Sequence, residues 1–360
     1  MKIAMMVRGY LPVPRPVDIV YAPIDLSVAI GEGLTKRGHK VDFYAPKGSH
    51  LKIKVEHLNL RTLVSNQKDF HRFISQPDLL SHYVLNLWDT YLVSEMFKRA
   101  ANGEYDLLYF AHPEVALPFV KLYPKVPVVY TLHDPIHEWY REIFNLYKSP
   151  NQHFISISNS QRRSAPRLHY AATIYNGVDS SLFTYNPKPD DYLLYVGRVV
   201  REKGVKEAIQ IAQRTNNKLL IIGPTYPDKL RYFNTHVKPH LNRSIRYLGY
   251  IPQNQLMPYY QKAKAFLAPL QWEEPFGLTL IESMACGTPV IALDRGSAPE
   301  LISNGKTGYV VKTIGQMVEA VKKIDNIKRE DCRRHIEDKF SIDKMVSGYE
   351  NTFKSIIKAS

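Results

Sequence analysis

Short apolar segments alternate with amphipathic segments along almost the whole chain, and this pattern predicts an α/β protein. Most apolar segments are continuous and rich in Val, Ile, Leu and Tyr, as is typical of strands covered on both faces of a parallel sheet. Strands are predicted over residues 2–7, 41–45, 106–110, 126–132, 153–157, 172–175, 192–196, 218–222, 245–247, 265–268 and 290–293. Helices are predicted between them, among others over residues 23–37, 205–214, 253–263, 278–285 and 341–357. This alternation predicts doubly wound parallel sheets.

The series of strands stops and starts again in the middle of the chain. The first series ends near Asn176, and the second begins after residues 183–190, which are polar and contain two prolines. Such a segment is typical of a linker, and 360 residues are more than one domain usually holds. We therefore predict an N-terminal domain of residues 1–180 and a C-terminal domain of residues 181–340, followed by a terminal helix over residues 341–360.

The composition is that of a globular protein, with 44% apolar and 23% charged residues. No segment approaches the roughly 20 consecutive apolar residues of a membrane-spanning helix, and the five-residue apolar run after Lys2 is too short for a signal peptide. We therefore expect a cytoplasmic protein. The two cysteines, Cys286 and Cys332, belong to no Cys-x-x-Cys or Cys/His cluster, so we expect reduced structural thiols.

The chain is basic, and its net charge of +14 is spread over both halves. Three interpretations are compatible with this excess. The surface is simply solvated, or it attracts anionic donors, lipid phosphates or a membrane face, or it binds nucleic acid. The sequence contains no recognisable nucleic-acid module, so no nucleic-acid partner is expected, and the other two interpretations stay open.

Two cations lie in the loop that follows the predicted strand 192–196. The strand ends at Gly197, a helix begins near Gly204, and Arg198 and Lys203 lie between the two glycines. Glycines let the backbone come close to a ligand, and fixed cations beside a helix N-terminus form a diphosphate site. The alternative is that both are exposed loop cations, and the loop by itself does not distinguish the two.

Two glutamates mark the helix that is predicted after strand 265–268. Glu274 lies at the N-terminus of that helix, and Glu282 lies about two turns further on, among leucine, isoleucine and methionine residues. A carboxylate in such surroundings is costly to bury unless it is hydrogen-bonded, and the hydroxyls of a ribose or hexose supply that bond. Free N–H groups at the helix start also hold phosphate or sugar oxygens. The alternative is that Glu274 caps the helix and Glu282 faces solvent.

These residues carry a resemblance to a known family. The segment Glu274-Pro-Phe-Gly-Leu-Thr-Leu-Ile-Glu282 resembles the signature of the family 4 retaining glycosyltransferases, the glycosyl transferases group 1, which have the GT-B fold. Gly197-Arg198 with Lys203-Gly204 is similar to the diphosphate-binding loop of that family, and residues 176–179 and 297–302 extend the resemblance over nearly the whole chain. The resemblance implies two Rossmann-like domains that face a deep cleft.

In the C-terminal domain, the resemblance implies a site for a nucleotide-sugar donor. It implies that Arg198 and Lys203 neutralise the departing diphosphate and that Glu274 binds hydroxyls of the transferred sugar. It also implies that Glu282 binds the two ribose hydroxyls. The other implied contacts are those of Phe276 and Gly277 with the sugar, of Leu278 and Thr279 with the phosphates, of Gly197 in the diphosphate loop and of Gly249 near the base.

In the N-terminal domain, the resemblance implies an acceptor site and one contact with the donor. His133 follows the predicted strand 126–132, and in similar enzymes a histidine here contacts the donor sugar beside the scissile bond, although a histidine after a strand can be merely structural. The terminal helix 341–360 packs back on this domain in similar proteins. Family members commonly carry two glycines after the first strand. Residues 12–23 contain none, and Arg15 either replaces their contacts by its charge or is exposed.

The resemblance also implies that the anomeric configuration is retained. No carboxylate nucleophile is evident beside His133, which favours attack by the acceptor on the same face without a covalent intermediate. No Asp-x-Asp sequence and no His/Asp cluster with ligand spacing occurs. We therefore expect no cofactor and no metal, with cations and helix N-termini stabilising the leaving diphosphate.

The expected partners are a nucleotide-sugar donor and a carbohydrate or lipid-linked acceptor. Peripheral contact at the inner face of a membrane follows only if the basic surface attracts lipid phosphates. Aromatic residues suited to lining an acceptor groove, or to filling ordinary helix cores, are Phe70, Phe73, Tyr83, Trp88, Tyr91 and Phe97. Two rival functions on the same fold are a non-catalytic nucleotide-sugar binder and a sugar-nucleotide epimerase. The epimerase needs acid/base carboxylates in the cleft, and the sequence identifies none.

Overall fold

The computed structural model describes residues 1–75 and 79–359, which form two compact α/β units. The first unit comprises Met1–Ile157, Arg162–Tyr175 and the C-terminal residues from Ile342, and the second comprises Ser158–Gln161 and Asn176–Ser341. Residues 76–78 and residue 360, the last residue of the predicted terminal helix, lie outside the described residues. The prediction of two α/β domains with parallel sheets is confirmed.

The first unit is built on a parallel sheet with seven strands in its described part. They are β1 (Lys2–Met6), β2 (Lys40–Tyr44), β3 (Lys54–Glu56), β4 (Leu107–Phe110), β5 (Val128–Leu132), β6 (Gln152–Ser156) and β7 (Tyr170–Thr173), in the spatial order β3-β2-β1-β4-β5-β6-β7. The sequence does not predict β3, because this three-residue edge strand, Lys-Val-Glu, has one apolar side chain. The strand order reverses between β1 and β4, so the loops after these strands open on a crevice at the carboxyl edge of the sheet.

Helices connect these strands and cover the sheet. Up to residue 175, the described part of the chain contains α1 (Ala22–Lys36), α2 (Gln67–Ser75), α3 (Leu79–Ala101), α4 (Leu117–Val120), α5 (Glu138–Leu146) and α6 (Asn159–Arg163). Phe97 of α3 is fully buried and stacks against Phe110 and Phe119, whereas Tyr83 and Tyr91 of the same helix are more than half exposed. Of the aromatic residues left open by the sequence, Phe97 therefore belongs to the core.

The second unit is built on a parallel sheet whose described part has six strands. They are β8 (Leu193–Val196), β9 (Leu219–Ile222), β10 (Ile245–Tyr247), β11 (Ala265–Ala268), β12 (Val290–Leu293) and β13 (Gly308–Val311), in the spatial order β10-β9-β8-β11-β12-β13. The sequence does not predict β13, which begins with a glycine that weakens the strand pattern. A Cβ on Gly308 would lie 1.9 Å from the carbonyl oxygen of Val290, so this glycine lets β13 approach β12.

The helices of the second unit lie between its strands and after the last of them. They are α7 (Val205–Thr215), α8 (Leu230–His236), α9 (Met257–Lys262), α10 (Leu278–Ala285), α11 (Ala298–Leu301), α12 (Ile314–Lys322) and α13 (Arg329–Lys339). The predicted continuous helix over residues 253–263 is wrong in its first part, where Gln253–Gln255 forms a 3₁₀ turn. Pro258 lies in the first turn of α9, where its missing N–H group is tolerated, and this residue marks where the α-helix begins.

The polar segment over residues 183–190, interpreted from the sequence as a linker, packs within the second unit. Phe183 is buried, and the backbone carbonyl of Asn186 accepts a hydrogen bond from Nε of Arg329 at 2.7 Å. A polar, proline-containing composition therefore does not by itself mean a free segment, because backbone carbonyls can bind a buried arginine.

The C-terminal helix, α14 (Ile342–Ala359), lies in the first unit against α1. A Cβ on Gly33 of α1 would lie 2.6 Å from Cγ2 of Val346, so the glycine provides the space for this contact. The hydroxyl groups of Tyr349 and of Thr131 in β5 are hydrogen-bonded at 2.9 Å. The last helix of the chain therefore completes the core of the first unit.

Candidate functional site

Three glycines lie at the carboxyl ends of the neighbouring strands β8, β9 and β10. The amide of Gly197 donates to the carbonyl of Ile222 at 2.9 Å, and the amide of Gly223 donates to the carbonyl of Gly249 at 2.9 Å. A Cβ on Gly223 would lie 1.9 Å from the carbonyl oxygen of Gly197, whereas a Cβ on Gly249 would meet no described atom within 4 Å. These three glycines therefore leave the backbone uncovered at this edge of the sheet, with free space at Gly249. A ligand that approaches the main chain requires such an arrangement.

The loop after β8 is held against the loop after β11, the next strand in the sheet. Arg201–Lys203 forms a 3₁₀ turn that ends at Gly204, which has a φ of +77°. A Cβ on Gly204 would lie 1.9 Å from the carbonyl oxygen of Pro269, so only glycine allows this approach. The amide of Gln271 also donates to the carbonyl of Glu202 at 2.8 Å. These contacts bring together two loops that are far apart along the chain.

Lys203 and Glu274, both predicted as site residues, form an ion pair between these loops. The same oxygen of Glu274 accepts a hydrogen bond from Nε1 of Trp272 at 3.0 Å, and the ammonium of Lys203 lies 4.7 Å from the centre of the Trp272 ring. A cation over an indole face is stabilised by the ring quadrupole. The sequence did not identify Trp272, and its only signal is an aromatic residue two positions before Glu274.

The backbone that leads into α10 is fixed from several sides. Ser158 Oγ donates to the carbonyl of Pro275 at 2.7 Å, and Ser297 Oγ donates to the carbonyl of Phe276. A Cβ on Gly296 would lie 2.3 Å from both the nitrogen and the oxygen of Glu274. The signature segment is therefore held rigidly before the helix begins.

The N-terminus of α10 presents backbone amides rather than side chains. Gly277 has a φ of +95°, and its position before α10 carries no side-chain cap; the first turn of the helix holds no acidic residue. Phe276 is buried, while Leu278 and Thr279 are half-buried. An uncapped helix start carries a partial positive charge that favours phosphate or sugar oxygens. The alternative that Glu274 caps this helix receives no support, because its carboxylate binds Lys203 and Trp272.

Arg198 lies on the same loop as Lys203 but not in the same cluster. Its side chain is exposed, and within residues 1–75 and 79–359 no carboxylate forms an ion pair with it. Its carbonyl accepts a hydrogen bond from the hydroxyl of Tyr195 at 3.0 Å, which fixes the backbone. The structure therefore joins Lys203 to Glu274 and leaves the guanidinium of Arg198 in solvent.

Glu282 is buried, with 5% of its surface exposed, so the alternative of a solvent-facing Glu282 is wrong. One carboxylate oxygen accepts from Nε2 of Gln253 and the other from the hydroxyl of Tyr260, both at 2.8 Å. These two hydrogen bonds offset the cost of burying the carboxylate. The sequence missed both partners, because Gln253 and Tyr260 lie on the preceding turn and helix and carry no motif.

His133 lies in the first unit, directly after β5, and lines a pocket with His112, Glu114, Asp134 and Tyr140. Its Nε2 atom is shielded from solvent and has no hydrogen-bond partner among the described residues. Burial lowers the pKa of His133 to about 4, so the ring is neutral at neutral pH. No carboxylate nucleophile was evident from the sequence beside His133, and the structure adds the carboxylate of Glu114 to the same pocket.

Further polar residues that the sequence missed lie at the carboxyl ends of β1 and β4. Arg8 Nη1 donates to the buried carboxylate of Asp89 at 3.0 Å, and Nη2 lies 4.0 Å from Glu114 Oε2. The hydroxyl of Tyr21 is hydrogen-bonded to Nε2 of His112. No linear motif signals this cluster, because its members come from four separate segments.

The glycine-free loop over residues 12–23 is held by its own arginine. Arg15 Nε donates to Asp25 Oδ2 at 2.7 Å, Nη1 donates to the carbonyl of Ile19, and 12% of the side chain is exposed. The interpretation of Arg15 as an exposed residue is therefore wrong. Its charge is neutralised within the unit by the carboxylate of Asp25.

Two classes of feature are absent from the described residues. No group of three or more His, Cys, Asp or Glu side chains within them is arranged to hold a metal ion. None of the helices in the described ranges combines the length and apolarity that a membrane-spanning helix needs.

The free energy of unfolding is expected to fall as the pH drops from about 6.5 to about 4 because His133 must gain a proton. The pKa of His133 is about 4 in the folded protein and near 6.5 in an unfolded chain. The unfolded state therefore binds more protons in this window, and the stabilisation, roughly 1–3 kcal/mol, is complete above it and is lost towards its lower end. Denaturant unfolding near pH 7 and near pH 5 should show a smaller decrease in His133→Asn than in the wild type. Equal decreases would contradict the prediction.

Two family models match successive parts of the chain. The model described as Glycosyltransferase Family 4 matches residues 27–182, and the model described as Glycosyl transferases group 1 matches residues 183–339.

The prediction of a GT-B fold is confirmed by similarity to solved structures. Sucrose-phosphate synthase from Thermosynechococcus elongatus has a TM-score of 0.78 at 18% identity, with 100% of both chains covered. Anabaena HepE in complex with UDP-glucose has a TM-score of 0.72 at 16% identity, with 99% of this chain and 100% of that chain covered.

Among curated proteins, the chain is 30% identical over 172 residues to an uncharacterised 41.2 kDa protein in the cps region of Klebsiella pneumoniae. This match covers 45% of the chain and 46% of the relative. The chain thus spans half or less of the length of the curated relatives that it matches first.

Proposed function

The chain belongs to glycosyltransferase family 4, and from this premise we propose that it moves a hexose from a nucleotide-diphosphate sugar to a carbohydrate or lipid-linked acceptor. We propose that the transfer retains the anomeric configuration and needs no metal ion. The observation that carries the proposal is the cluster of Lys203, Glu274 and Trp272 beside the uncapped N-terminus of α10.

The cluster suits a donor in which the bond between the anomeric carbon and the diphosphate oxygen breaks. Negative charge then develops on the diphosphate, and preorganised cations and helix amides stabilise it strongly in a site shielded from water. In our proposal Lys203 and Arg198 face the diphosphate with the amides of Leu278 and Thr279, and Glu274 holds sugar hydroxyls with the amides of Phe276 and Gly277. The acceptor hydroxyl attacks the anomeric carbon on the same face, and its proton passes to the departing phosphate oxygen.

The nucleoside is assigned to the open backbone at Gly249 and to Glu282. The carboxylate of Glu282 is buried and held by Tyr260 and Gln253, and in our proposal its oxygens accept hydrogen bonds from the two ribose hydroxyls. Gly197 and Gly223 let the ends of β8 and β9 lie close together, so that the backbone can contact the phosphates of the donor.

A thermal-shift screen with UDP, GDP, ADP and dTDP tests the donor site. At least one nucleotide should raise the Tm of the wild type, since a ligand at about 100 times its Kd stabilises the native state by about 2.7 kcal/mol. Glu282→Gln should weaken this effect, and Glu319→Gln, an exposed carboxylate of the same unit, should not. If none of the four nucleotides shifts the Tm of the wild type, the proposal fails.

Two rivals on the same fold are separated by a nucleotide-release assay. A non-catalytic binder shows the thermal shift but releases no nucleotide from its sugar donor. An epimerase converts the sugar without net transfer to an added acceptor. We propose the transferase because Lys203, Glu274 and the N-terminus of α10 lie together, so that one site combines groups for the leaving diphosphate and for the sugar. A protein that only binds the nucleotide sugar does not require this combination.

We also propose peripheral contact with an anionic membrane surface through one face of α5. Trp139, Ile143 and Leu146 lie at helical spacing on this face and are 74%, 38% and 69% exposed. Lys121 Nζ donates to the carbonyl of Leu146, which brings a basic, exposed segment with Leu122 beside the helix. An exposed apolar helix face beside a basic segment suits contact with an anionic interface.

Sedimentation with phosphatidylglycerol vesicles tests this surface. The double variant Trp139→Ser/Leu146→Ser should bind the vesicles more weakly than the wild type, because burial of large apolar side chains supplies about 1.5–3 kcal/mol each. Leu230→Ser removes an exposed leucine of the second unit and serves as the control. Equal binding of the double variant and the wild type would exclude this face.

A further inference from the structure

A second carboxylate, Glu114, lies at the carboxyl edge of the first sheet and is used by none of the roles assigned above. The adjacent strands β1, β4 and β5 end near Arg8, Glu114 and His133 respectively. Glu114 and His133 line the same pocket, together with Tyr140 and His112. This edge is where ligands of open parallel sheets bind.

Two polar atoms of this pocket are shielded from solvent and have no hydrogen-bond partner among the described residues. They are Oε2 of Glu114 and Nε2 of His133. Buried polar atoms are almost always hydrogen-bonded, and each exception calls for an explanation. A ligand that bonds to both atoms is such an explanation.

The carboxylate of Glu114 is held in place while Oε2 remains available. Its other oxygen accepts a hydrogen bond from the hydroxyl of Tyr140 at 3.0 Å. Arg8, which is bound to Asp89, and His112 approach Oε2 only to 4.0 Å and 3.8 Å. These distances stabilise the negative charge but exceed hydrogen-bond length.

The chemistry of the two atoms selects a class of ligand. A carboxylate oxygen only accepts hydrogen bonds, whereas a neutral imidazole nitrogen either donates or accepts. A hydroxyl group both donates and accepts, so it suits both atoms, while a phosphate or carboxylate ligand would be repelled by Glu114. We propose that Glu114 accepts a hydrogen bond from a hydroxyl group of a neutral hexose bound in this pocket.

The choice of a sugar as the ligand rests on the proposed function, and the hexose belongs either to the donor or to the acceptor. Glu114 is then a residue that determines sugar specificity through direct contact. Its role is independent of Glu282 and of Lys203, which lie in the other unit.

The test compares Glu114→Gln and Glu114→Ala with the control Glu142→Gln, an exposed carboxylate of α5. Saturation-transfer NMR measures binding of a hexose as acceptor, which we call the acceptor route. The probes are the methyl α-glycosides of glucose, galactose and mannose, and no nucleotide is present. Binding of UDP-glucose, UDP-galactose, GDP-mannose and ADP-glucose, each compared with its free nucleotide diphosphate, measures the donor route.

We expect both Glu114 variants to weaken hexose binding by about tenfold or more, the effect of losing a hydrogen bond to a charged group. On the donor route the sugar nucleotide is affected and the free nucleotide diphosphate is not. On the acceptor route the methyl glycoside is affected. The Tm of Glu114→Gln should stay close to that of the wild type, because the hydrogen bond from Tyr140 is kept and only the long contacts of Oε2 with Arg8 and His112 are weakened, whereas a structural role would lower it.

Two results would overturn the inference. In the first, both variants bind the methyl glycosides and the sugar nucleotides with a Kd within about twofold of the wild-type value. In the second, the variants bind the sugar nucleotide and the free nucleotide diphosphate more weakly by the same factor. These results are distinguishable from failure of the proposed function. If no nucleotide binds the wild type but a methyl glycoside binds and depends on Glu114, the donor proposal fails and the pocket assignment stands.

Discussion

Replacement of Lys203 by methionine is expected to lower kcat by about 100- to 1,000-fold, the loss seen when one preorganised group that stabilises transition-state charge is removed. Methionine keeps most of the unbranched stem and removes the ammonium, which lies over the ring of Trp272. The substitution leaves Glu274 without its cation, so sugar positioning suffers as well. Release of nucleotide from the sugar nucleotide that gives the largest thermal shift measures the effect.

Lys206→Met is the matched control, because Lys206 is an exposed lysine in the first turn of α7, three positions from Lys203. Its kcat should remain close to that of the wild type.

The same assay in the presence of EDTA tests whether the activity is independent of metal ions, because the cations of the protein supply the positive charge in our proposal. Unchanged kcat in Lys203→Met would contradict the site, and activity that is lost in EDTA and restored by Mg²⁺ would contradict metal independence.

Replacement of Gly223 by alanine is expected to lower the free energy of unfolding by about 3 kcal/mol and to abolish nucleotide binding. The added Cβ would lie 1.9 Å from the carbonyl oxygen of Gly197, and the residue has a φ of +151°. Because the obstacle is backbone, the strand ends of β8 and β9 must separate. Denaturant unfolding monitored by tryptophan fluorescence, together with the nucleotide thermal shift, measures both effects.

Gly249→Ala separates the effect of conformation from that of contact. Gly249 also has a positive φ, of +75°, but an added Cβ there meets no described atom within 4 Å. Only the cost of a left-handed conformation remains, about 1–2 kcal/mol. If the two variants are equally stable, close approach at the strand ends is not what Gly223 provides.

Much of the fold follows from patterns that are local in the chain. Continuous apolar runs mark strands buried on both faces, and β10, β11 and β12 have the predicted bounds. The pattern fails where an element has few apolar residues of its own. The edge strand β3 is one such case. The start of α9 was missed for a different reason, since Pro258 lies in the first turn of the helix and the preceding residues form a 3₁₀ turn.

The candidate site was predictable only as far as its residues form segments. Lys203, Glu274 and Glu282 were identified because each lies in a run of neighbouring residues with recognisable order. Their partners Trp272, Gln253 and Tyr260, and the carboxylate of Glu114, were not identified. None of these four residues belongs to a recognisable sequence motif, and each acquires a role only through the residues that fold against it.

The sequence by itself determined the α/β class, two parallel sheets, the glycines of the strand ends and the charged residues of the loops, because hydrophobic period and backbone permissiveness are properties of short segments. The tertiary structure alone decided which loops meet. Because β8 lies beside β11 in the second sheet, Lys203 reaches Glu274. Because β4 lies beside β5 in the first, Glu114 and His133 share a pocket. Strand order is set by the packing of the whole sheet, and no short segment encodes it.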